Sequence, residues 1–308
     1  MNKKSLLILM STLMVVILTL SACGNDEKTE SEGQKKTLSD TVGIVSLNGV
    51  GEEATAAMTD GFEVQVFQKS SEVEAQILTG SYDLAIVSAN TAAKLYKQTG
   101  GDLVAISPVA LNDWYIVSNQ GYITSQEISD LRGKTIVASG QGGSGEAILR
   151  KLLEDNYINP DYGVRMKWMD TPAQVMEALK ESYTVALLQE PYATQALGIS
   201  SGSDGITSDI NLGALWEARY DTPVPSDILV ANKQFVTERN DDFKLFIAAY
   251  EESLGTAKES SNANLVFYGR SNRGIDLIKS FMASMEEYDI SLLGGKSPDA
   301  AFYYGIGE

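Results

Sequence analysis

The sequence contains no histidine and a single cysteine, Cys23, among its 308 residues. Without histidine, neither a Ser-His-Asp nor a Cys-His catalytic group can form, and no imidazole can bind a metal ion. One cysteine permits no internal disulfide, and a chain of this length can bury a core large enough to fold without one. We therefore expect no catalytic residue, metal site or cofactor, although catalysis by paired carboxylates or by lysine stays formally open.

Clusters of lysine or arginine are also absent after residue 36, and the formal net charge is -17. A nucleic-acid-binding surface requires a basic patch, so nucleic acid is excluded as a partner. This excess of acidic residues indicates a protein whose copies repel one another, and it says little about the ligand.

The N-terminal segment has the order of a secretion signal. Two lysines precede an apolar run over residues 6–20, which leads into the tetrapeptide Leu-Ser-Ala-Cys that ends at Cys23. The run is shorter than the roughly 20 residues of a membrane span and fits a signal-peptide core. The tetrapeptide resembles the bacterial lipobox, whose cysteine receives diacylglycerol after cleavage. We expect residues 1–22 to be a lipoprotein signal peptide; the alternative is an ordinary signal anchor.

Lipidation would explain the single cysteine and would hold the protein on the outer face of the cell membrane, because two acyl chains anchor stably where one is marginal. Residues 23–37 are polar and charged, and this composition predicts a flexible tether after Cys23. The folded part is expected to start near Leu38.

Strand and helix patterns alternate from residue 38 onward. Helix starts are predicted at three caps, namely Ser71 with Glu74, Thr124 with Glu127, and Thr171 with Gln174. Short apolar or alternating runs predict strands over Val42–Leu47, Phe62–Val66, Leu84–Val87, Leu103–Ile106, Trp114–Val117, Thr135–Ala138, Val164–Trp168, Val185–Leu188 and Ile228–Ala231.

This alternation predicts an α/β fold with mainly parallel sheets made of βαβ units. The units fall into two series, which indicates two lobes. Ligands of open α/β sheets lie at the carboxyl ends of the strands, so two facing lobes would place the binding loops along one cleft.

The candidate ligand-binding residues follow the strands that end at this cleft. In the first lobe they are Ser46, Asn48, Gly49, Ser88, Asn90 and Thr91. In the second lobe they are Gly140, Gly142, Gly143, Ser144, Glu190 and Tyr192, and Trp114 is an aromatic candidate for stacking on a ligand. Small polar residues at a helix start leave backbone N–H groups available to a polar ligand. For each loop, an ordinary strand-to-helix turn is the alternative interpretation.

Gly140, Gly142 and Gly145 match the spacing of the dinucleotide fingerprint, with an acidic residue further on at Asp161. We reject a dinucleotide site because the motif opens the second series and the chain carries an export signal. What remains is the general property of such loops, in which glycine lets backbone amides approach a ligand closely.

Four segments resemble the substrate-binding lipoproteins of the nitrate, sulfonate, taurine and thiamine-precursor group of ABC transporters. They are Tyr82–Val87 with Asn90, Asp130–Ile136, Gln189–Thr194, and Gly294–Pro298 with the aromatic run Phe302–Tyr304. The resemblance implies a type II periplasmic-binding-protein fold, with lobe 1 over 38–119 and 226–308 and lobe 2 over 120–225. It also implies a monomer that closes on its ligand by hinge motion, with a membrane permease and an ATPase as partners.

The expected function is therefore extracytoplasmic delivery of a small molecule to an ABC importer, not catalysis. The family implies a sulfonate- or nitrate-like anion. The proposed loops, however, contain no lysine or arginine, and Glu190 would repel an anion, which favours a neutral or cationic heteroaromatic such as a pyrimidine-type vitamin precursor. Two alternatives remain open: an enzyme of this fold acting on a pyrimidine precursor, and a sensory lipoprotein without a transport role.

Overall fold

A computed structural model describes residues 37–305, except residues 120, 121, 124, 182, 200–204 and 270. These residues form ten strands: β1 (Val42–Leu47), β2 (Phe62–Phe67), β3 (Leu84–Ser88), β4 (Leu103–Pro108), β5 (Trp114–Asn119), β6 (Thr135–Ser139), β7 (Arg165–Met169), β8 (Val185–Gln189), β9 (Ile206–Asn211) and β10 (Asp227–Asn232).

The same residues form ten α-helices: α1 (Val50–Thr55), α2 (Ser70–Thr79), α3 (Ala89–Gln98), α4 (Ser144–Asp155), α5 (Pro172–Ala178), α6 (Tyr192–Leu197), α7 (Leu212–Tyr220), α8 (Lys233–Glu238), α9 (Asn240–Lys258) and α10 (Arg273–Asp289). Short 3-10 helices cover Ile128–Leu131, Ile290–Leu293 and Ala300–Phe302. None of the helices described is long and apolar enough to cross a membrane.

The strands form two five-stranded sheets, with the orders β2-β1-β3-β10-β4 and β7-β6-β8-β5-β9. In the first sheet, β10 runs antiparallel to both β3 and β4. In the second sheet, β5 runs antiparallel to both β8 and β9. The other pairs are parallel. The predicted two-lobed α/β fold is confirmed, and each sheet contains one reversed strand that a purely parallel arrangement does not include.

The division of the chain between the sheets differs from the expected boundary at residue 119. Strand β5 belongs to the second sheet, where its Ile116 and Val117 are fully buried between β8 and β9. The chain therefore leaves the first sheet after Pro108, and it returns at Asp227. The crossover from the first sheet to the second therefore lies in residues 109–113, directly before β5.

The start of α2 also differs from the predicted capping box. The backbone N–H of Lys69 donates to the Glu72 carboxylate at 3.1 Å, so the helix begins at Ser70 and not after Ser71. The cap at Thr171 is confirmed, because its hydroxyl accepts from the N–H of Gln174 and the Gln174 side chain accepts from the N–H of Thr171. Thr124, Cys23 and the whole signal segment lie outside the described residues.

Residues of both lobes share one apolar core. Trp216 of α7 lies with its ring centroid 6.0 Å from that of Phe281 in α10, and both side chains are buried. Ile148 and Leu149 of α4 belong to the same apolar cluster. A second cluster, around Phe243, Phe246 and other residues of α9, covers the opposite face of the first sheet. Burial on both faces explains why strands such as Leu84–Ser88 are almost continuously apolar.

Candidate functional site

A cavity of about 90 Å³ lies between the two lobes, at the strand ends that the sequence predicts. Its first-lobe wall comes from the loops after β1 and β3, together with the start of α2. Its second-lobe wall comes from the glycine-rich loop after β6, the end of β8 and the start of α6. This volume suits a small molecule, because a single water needs only about 10–15 Å³ measured in the same way.

Most of the candidate residues line this cavity. They are Asn48, Gly49, Ser88, Thr91, Trp114, Gly140, Gly143, Ser144, Glu190 and Tyr192. The lobes approach closely here: a Cβ atom on Gly49 would lie 3.1 Å from the Tyr192 ring across the cleft. Gly49 also has a φ of 104°, which favours glycine.

Three candidates lie outside the lining. Ser46 is fully buried under α1. A Cβ atom built on Gly51 of this helix would lie 2.8 Å from the Cβ atom of Ser46. Asn90 donates its side-chain amide to the carbonyl oxygen of Gly142 at 2.6 Å, and this bond connects the first lobe with the second. Asn90 and Gly142, the third of these candidates, therefore contact each other, and their contact with a ligand stays a prediction.

Several residues of the lining were missed by the sequence reasoning, and Asp227 and Gln189 matter most among them. Asp227 begins the reversed strand β10 and pairs with Ser88, the last residue of β3. Trp114 begins the reversed strand β5 and pairs with Gln189 in the same manner. A reversed strand presents its amino end to the cleft, so a search confined to carboxyl ends could not find Asp227.

Three buried polar atoms at the cavity have no hydrogen-bond partner among the described residues. They are Oδ1 of Asn48, Nε1 of Trp114 and Oγ of Ser144. Ser144 is only 1% exposed. Leaving a buried polar atom unpaired costs about 1–3 kcal/mol, so a group of them in one cavity indicates atoms kept for a ligand or for water.

Two carboxylates meet at the base of the cleft through one amide. Nε2 of Gln189 donates to Oδ2 of Asp113 at 2.9 Å and also to Asp227. The hydroxyl of Ser226 donates to Asp113. Burial raises the pKa of Asp113 to about 7, and the charge of Asp227 adds to the effect. Burial likewise raises the pKa of Asp227 to about 6, against the opposing donation from Gln189.

Glu190 is a further buried carboxylate of the cavity, with 6% of its surface exposed. Its two oxygens accept from the backbone N–H and the hydroxyl of Thr194, each at 3.0 Å. Burial raises the pKa of Glu190 despite these bonds. Next to it, burial raises the pKa of Tyr192 to about 12, so this phenol stays protonated at neutral pH.

The glycine-rich loop satisfies two of its own amides. The N–H of Gly142 donates to the Glu146 carboxylate at 2.7 Å, and the N–H of Gly143 donates to the carbonyl of Gly140 at 3.0 Å. Gly145 is required for packing, because a Cβ atom there would lie 2.6 Å from the Trp114 ring. These two amides are therefore unavailable to a phosphate, which agrees with the rejection of a dinucleotide site.

No group of three or more histidine, cysteine, aspartate or glutamate residues within the described ranges is arranged to hold a metal ion. The groups that the cavity offers are instead hydrogen-bonding atoms, aromatic rings and carboxylates.

Two mixed α/β lobes that enclose a cavity between them define the fold of the periplasmic binding proteins. Solved structures share it: an ABC transporter protein from Parabacteroides distasonis matches with a TM-score of 0.62 at 16% identity, over 86% of this chain and 98% of that one. The alkanesulfonate-binding protein SsuA from Xanthomonas axonopodis pv. citri, bound to MOPS, matches with a TM-score of 0.63 at 12% identity, over 87% and 99%. The nitrate-binding protein NrtA from Synechocystis PCC 6803 has a TM-score of 0.54 at 13% identity, over 71% and 62%.

The chain belongs to the NMT1/THI5-like family, whose model matches residues 59–263. This range includes both sheets except β1, together with most of the cavity lining. The family resemblance found in the sequence is thereby confirmed. No curated protein sequence matches the chain.

Proposed function

We propose that this protein is the extracytoplasmic solute-binding component of an ABC importer. The observation that supports it most directly is the set of unpaired buried polar atoms on Asn48, Trp114 and Ser144, three residues from both lobes that line one cavity. A guest molecule that pairs with all three would hold the lobes together. The closed protein would then present the guest to a membrane permease, and an ATPase would drive its transport.

Lipid attachment at Cys23 is part of this proposal, with residues 1–22 as the signal peptide and residues 23–37 as the tether. The support is the order of lysines, apolar run and lipobox-like tetrapeptide in the sequence. Mass spectrometry of the membrane fraction should find a mature N-terminus at Cys23 that carries acyl chains. A Cys23→Ala variant that stays equally membrane-bound would contradict the anchor.

The ligand classes suggested by the family differ in charge. A solved relative in the sulfonate group is described as bound to MOPS, and another binds nitrate. The described lining residues of this chain include neither lysine nor arginine. This favours the second class named from the sequence, a neutral or cationic heteroaromatic such as a pyrimidine-type vitamin precursor.

Native mass spectrometry of freshly purified protein, combined with a thermal-shift screen, tests the proposal. A small molecule should co-purify in stoichiometric amount, and its addition at 100 times its dissociation constant should stabilise the fold by roughly 2.7 kcal/mol. The compound should be recovered unchanged after incubation. Chemical conversion of the compound would favour the enzyme alternative, and a tight ligand without permease and ATPase genes beside this gene would favour the sensory one.

A further inference from the structure

The cavity contains more carboxylates than its own cations can neutralise. Glu74, Asp170, Glu190 and Asp227 all line it, and no lysine or arginine is among the described lining residues. The charge of Asp170 has a counter-charge, because its carboxylate lies 3.2 Å from the ammonium of Lys69 on the other lobe. Glu74 feels the positive charge of Lys94, which partly opposes the effect of burial on its pKa.

Asp227 and Glu190 are different, since neither forms an ion pair with a lysine or arginine of the described chain. Asp227 also lies against Asp113, whose nearest polar contacts are the neutral groups of Gln189 and Ser226. A buried negative charge without a counter-charge is costly, so the site is short of positive charge when its carboxylates are ionised.

The unpaired atoms around these carboxylates point to a ligand independently of the charge. Ser144 lines the cavity and its buried Oγ has no partner, and Oδ1 of Asn48 can only accept a hydrogen bond. Nε1 of Trp114 can only donate. A guest that satisfies Asn48 and the carboxylates therefore offers N–H donors, and Nε1 of Trp114 is left to a water molecule or to an acceptor elsewhere on the guest.

The cavity walls add a preference for a flat group. Trp114 and Tyr192 both line the cavity. The Tyr192 ring packs closely against Gly49 of the first lobe, since a Cβ atom built on Gly49 would lie 3.1 Å from it. Aromatic faces attract cations, with the strongest attraction for a desolvated cation over tryptophan. Charge, hydrogen bonding and shape thus favour one class of ligand.

We propose that the cleft binds a small planar nitrogen cation, of the amidinium or guanidinium kind, whose N–H groups pair with Asp227 and Glu190. This inference rests on the proposed solute-binding function and specifies its ligand. Asp227 is the charge anchor, because it stands at the base of the cleft with Asp113 directly behind it. Glu190 receives the opposite edge of the cation, and Gln189 positions Asp227 by sharing its amide between the two aspartates.

Binding of such a cation should release protons below neutral pH. The groups that face Asp227 are Asp113 directly before β5, Ser226 directly before β10, and Gln189 and Glu190 at the end of β8. Tyr115 of β5 faces the charges of Asp113 and Glu190. None of these groups is a cation, so the positive charge of the ligand lowers the pKa of the carboxylates. The carboxylates then lose protons when the ligand binds, and the affinity should rise with pH up to about 7.

The test uses three isosteric probes: benzamidinium, benzamide and benzoate. Each is titrated at constant ionic strength while the indole N–H signal of Trp114 is followed by NMR, with a Trp114→Phe spectrum for assignment. We expect benzamidinium to bind at least about tenfold more tightly than benzoate, with benzamide between them. Calorimetry in two buffers of different ionisation enthalpy should detect proton release at pH 6 and less at pH 8.

Asp227→Asn should weaken benzamidinium binding at least about tenfold. Asp276→Asn, a change of the same charge at an exposed position in the first turn of α10, should leave the affinity unchanged. Glu190→Gln is the second variant, in case Asp227→Asn does not fold. It can keep a bond from Thr194, and it should also lose affinity for benzamidinium while its affinity for benzamide changes little.

Benzoate binding as tightly as benzamidinium, equal affinity of Asp227→Asn and the native protein, or no response of Trp114 to any probe would each overturn the cation assignment. Solute binding itself is judged separately, by whether a small molecule co-purifies with the protein. A co-purified anion would therefore overturn this inference and leave the proposed function standing, whereas the absence of any bound solute in that measurement and in the ligand screen would count against the proposed function.

Discussion

The side-chain amide of Asn90 lies 2.6 Å from the carbonyl oxygen of Gly142, and it donates a hydrogen bond from one lobe to the other. The ammonium of Lys94, one turn further along α3, donates to the same oxygen at 2.9 Å. One carbonyl of the glycine-rich loop therefore receives two donors from the first lobe. These two bonds join the lobes, and neither side chain lines the cavity.

Asn90→Ala and Lys94→Met should each weaken ligand binding although neither side chain lines the cavity. Each loses one interlobe hydrogen bond, worth about 1 kcal/mol, so we expect about fivefold lower affinity per variant, mainly through faster dissociation. Stopped-flow kinetics with the co-purified ligand would measure this. Lys97→Met is the matched control, because Lys97 donates to the carbonyl of Gly294 inside the first lobe. Equal dissociation rates in all three variants would show that the bonds do not hold the lobes closed.

Gly145→Ala should displace the Trp114 ring and reduce ligand affinity at least about tenfold, because the added methyl group would lie 2.6 Å from that ring. Tryptophan fluorescence and calorimetry would follow the two effects. Gly255→Ala is the control, since nothing lies within 4 Å of that position in α9. It should leave affinity unchanged and stabilise the fold by about 0.5–1 kcal/mol. Native affinity in Gly145→Ala would mean that the position of the Trp114 ring is unimportant for binding.

The stability of the ligand-free protein should depend on pH through Asp113 and Asp227. Their pKa values in the folded state, about 7 and about 6, lie above the unfolded value of 3.8. The folded state therefore binds protons more readily, and this contribution is complete below pH 3.8 and is lost as pH rises through about 7.

Urea unfolding of the native protein and of Asp113→Asn over this range would measure the contribution. The difference in unfolding free energy between them should fall as pH rises and become constant at higher pH. Asp242 and Asp299 have lowered pKa values and act in the opposite direction, but they are common to both proteins and cancel. A flat difference curve would exclude Asp113 as the titrating group.

The ion pair between Lys69 and Asp170 crosses the mouth of the cleft but should contribute little. The two side chains are 46% and 70% exposed, and exposed pairs contribute at most about 1 kcal/mol. We expect Lys69→Met to weaken ligand binding by less than about fivefold, and added salt to remove the difference from the native protein. A loss that persists at high salt would show that Lys69 acts on the ligand directly.

The parts of the fold that could be predicted from the sequence are those set by local patterns. The continuous apolar run of β3 and the capping pair of Thr171 with Gln174 identified their elements directly. Strand β9, with the sequence Ile-Thr-Ser-Asp-Ile-Asn, contains only two apolar residues and was missed. It is a strand because β5 pairs with it, and this tertiary pairing leaves no local signal in the sequence.

The same distinction applies to the site. Glu190 and Ser144 follow strands whose direction is implied by the βαβ order, so the loops that contain them could be named in advance. Asp227 is the first residue of its strand and reaches the cleft only because β10 is reversed. Strand direction depends on which neighbours a segment pairs with, and a single sequence does not reveal this.

Strand β10 lies between β3 and β4, although it is made about 120 residues after β4 in the chain. An incomplete chain that ends before Asp227 thus leaves the facing edges of β3 and β4 without their partner. The first sheet can therefore be completed only after all five strands of the second sheet have been synthesised. The second sheet is already complete at Asn211, so the first sheet is the later of the two to receive its last strand.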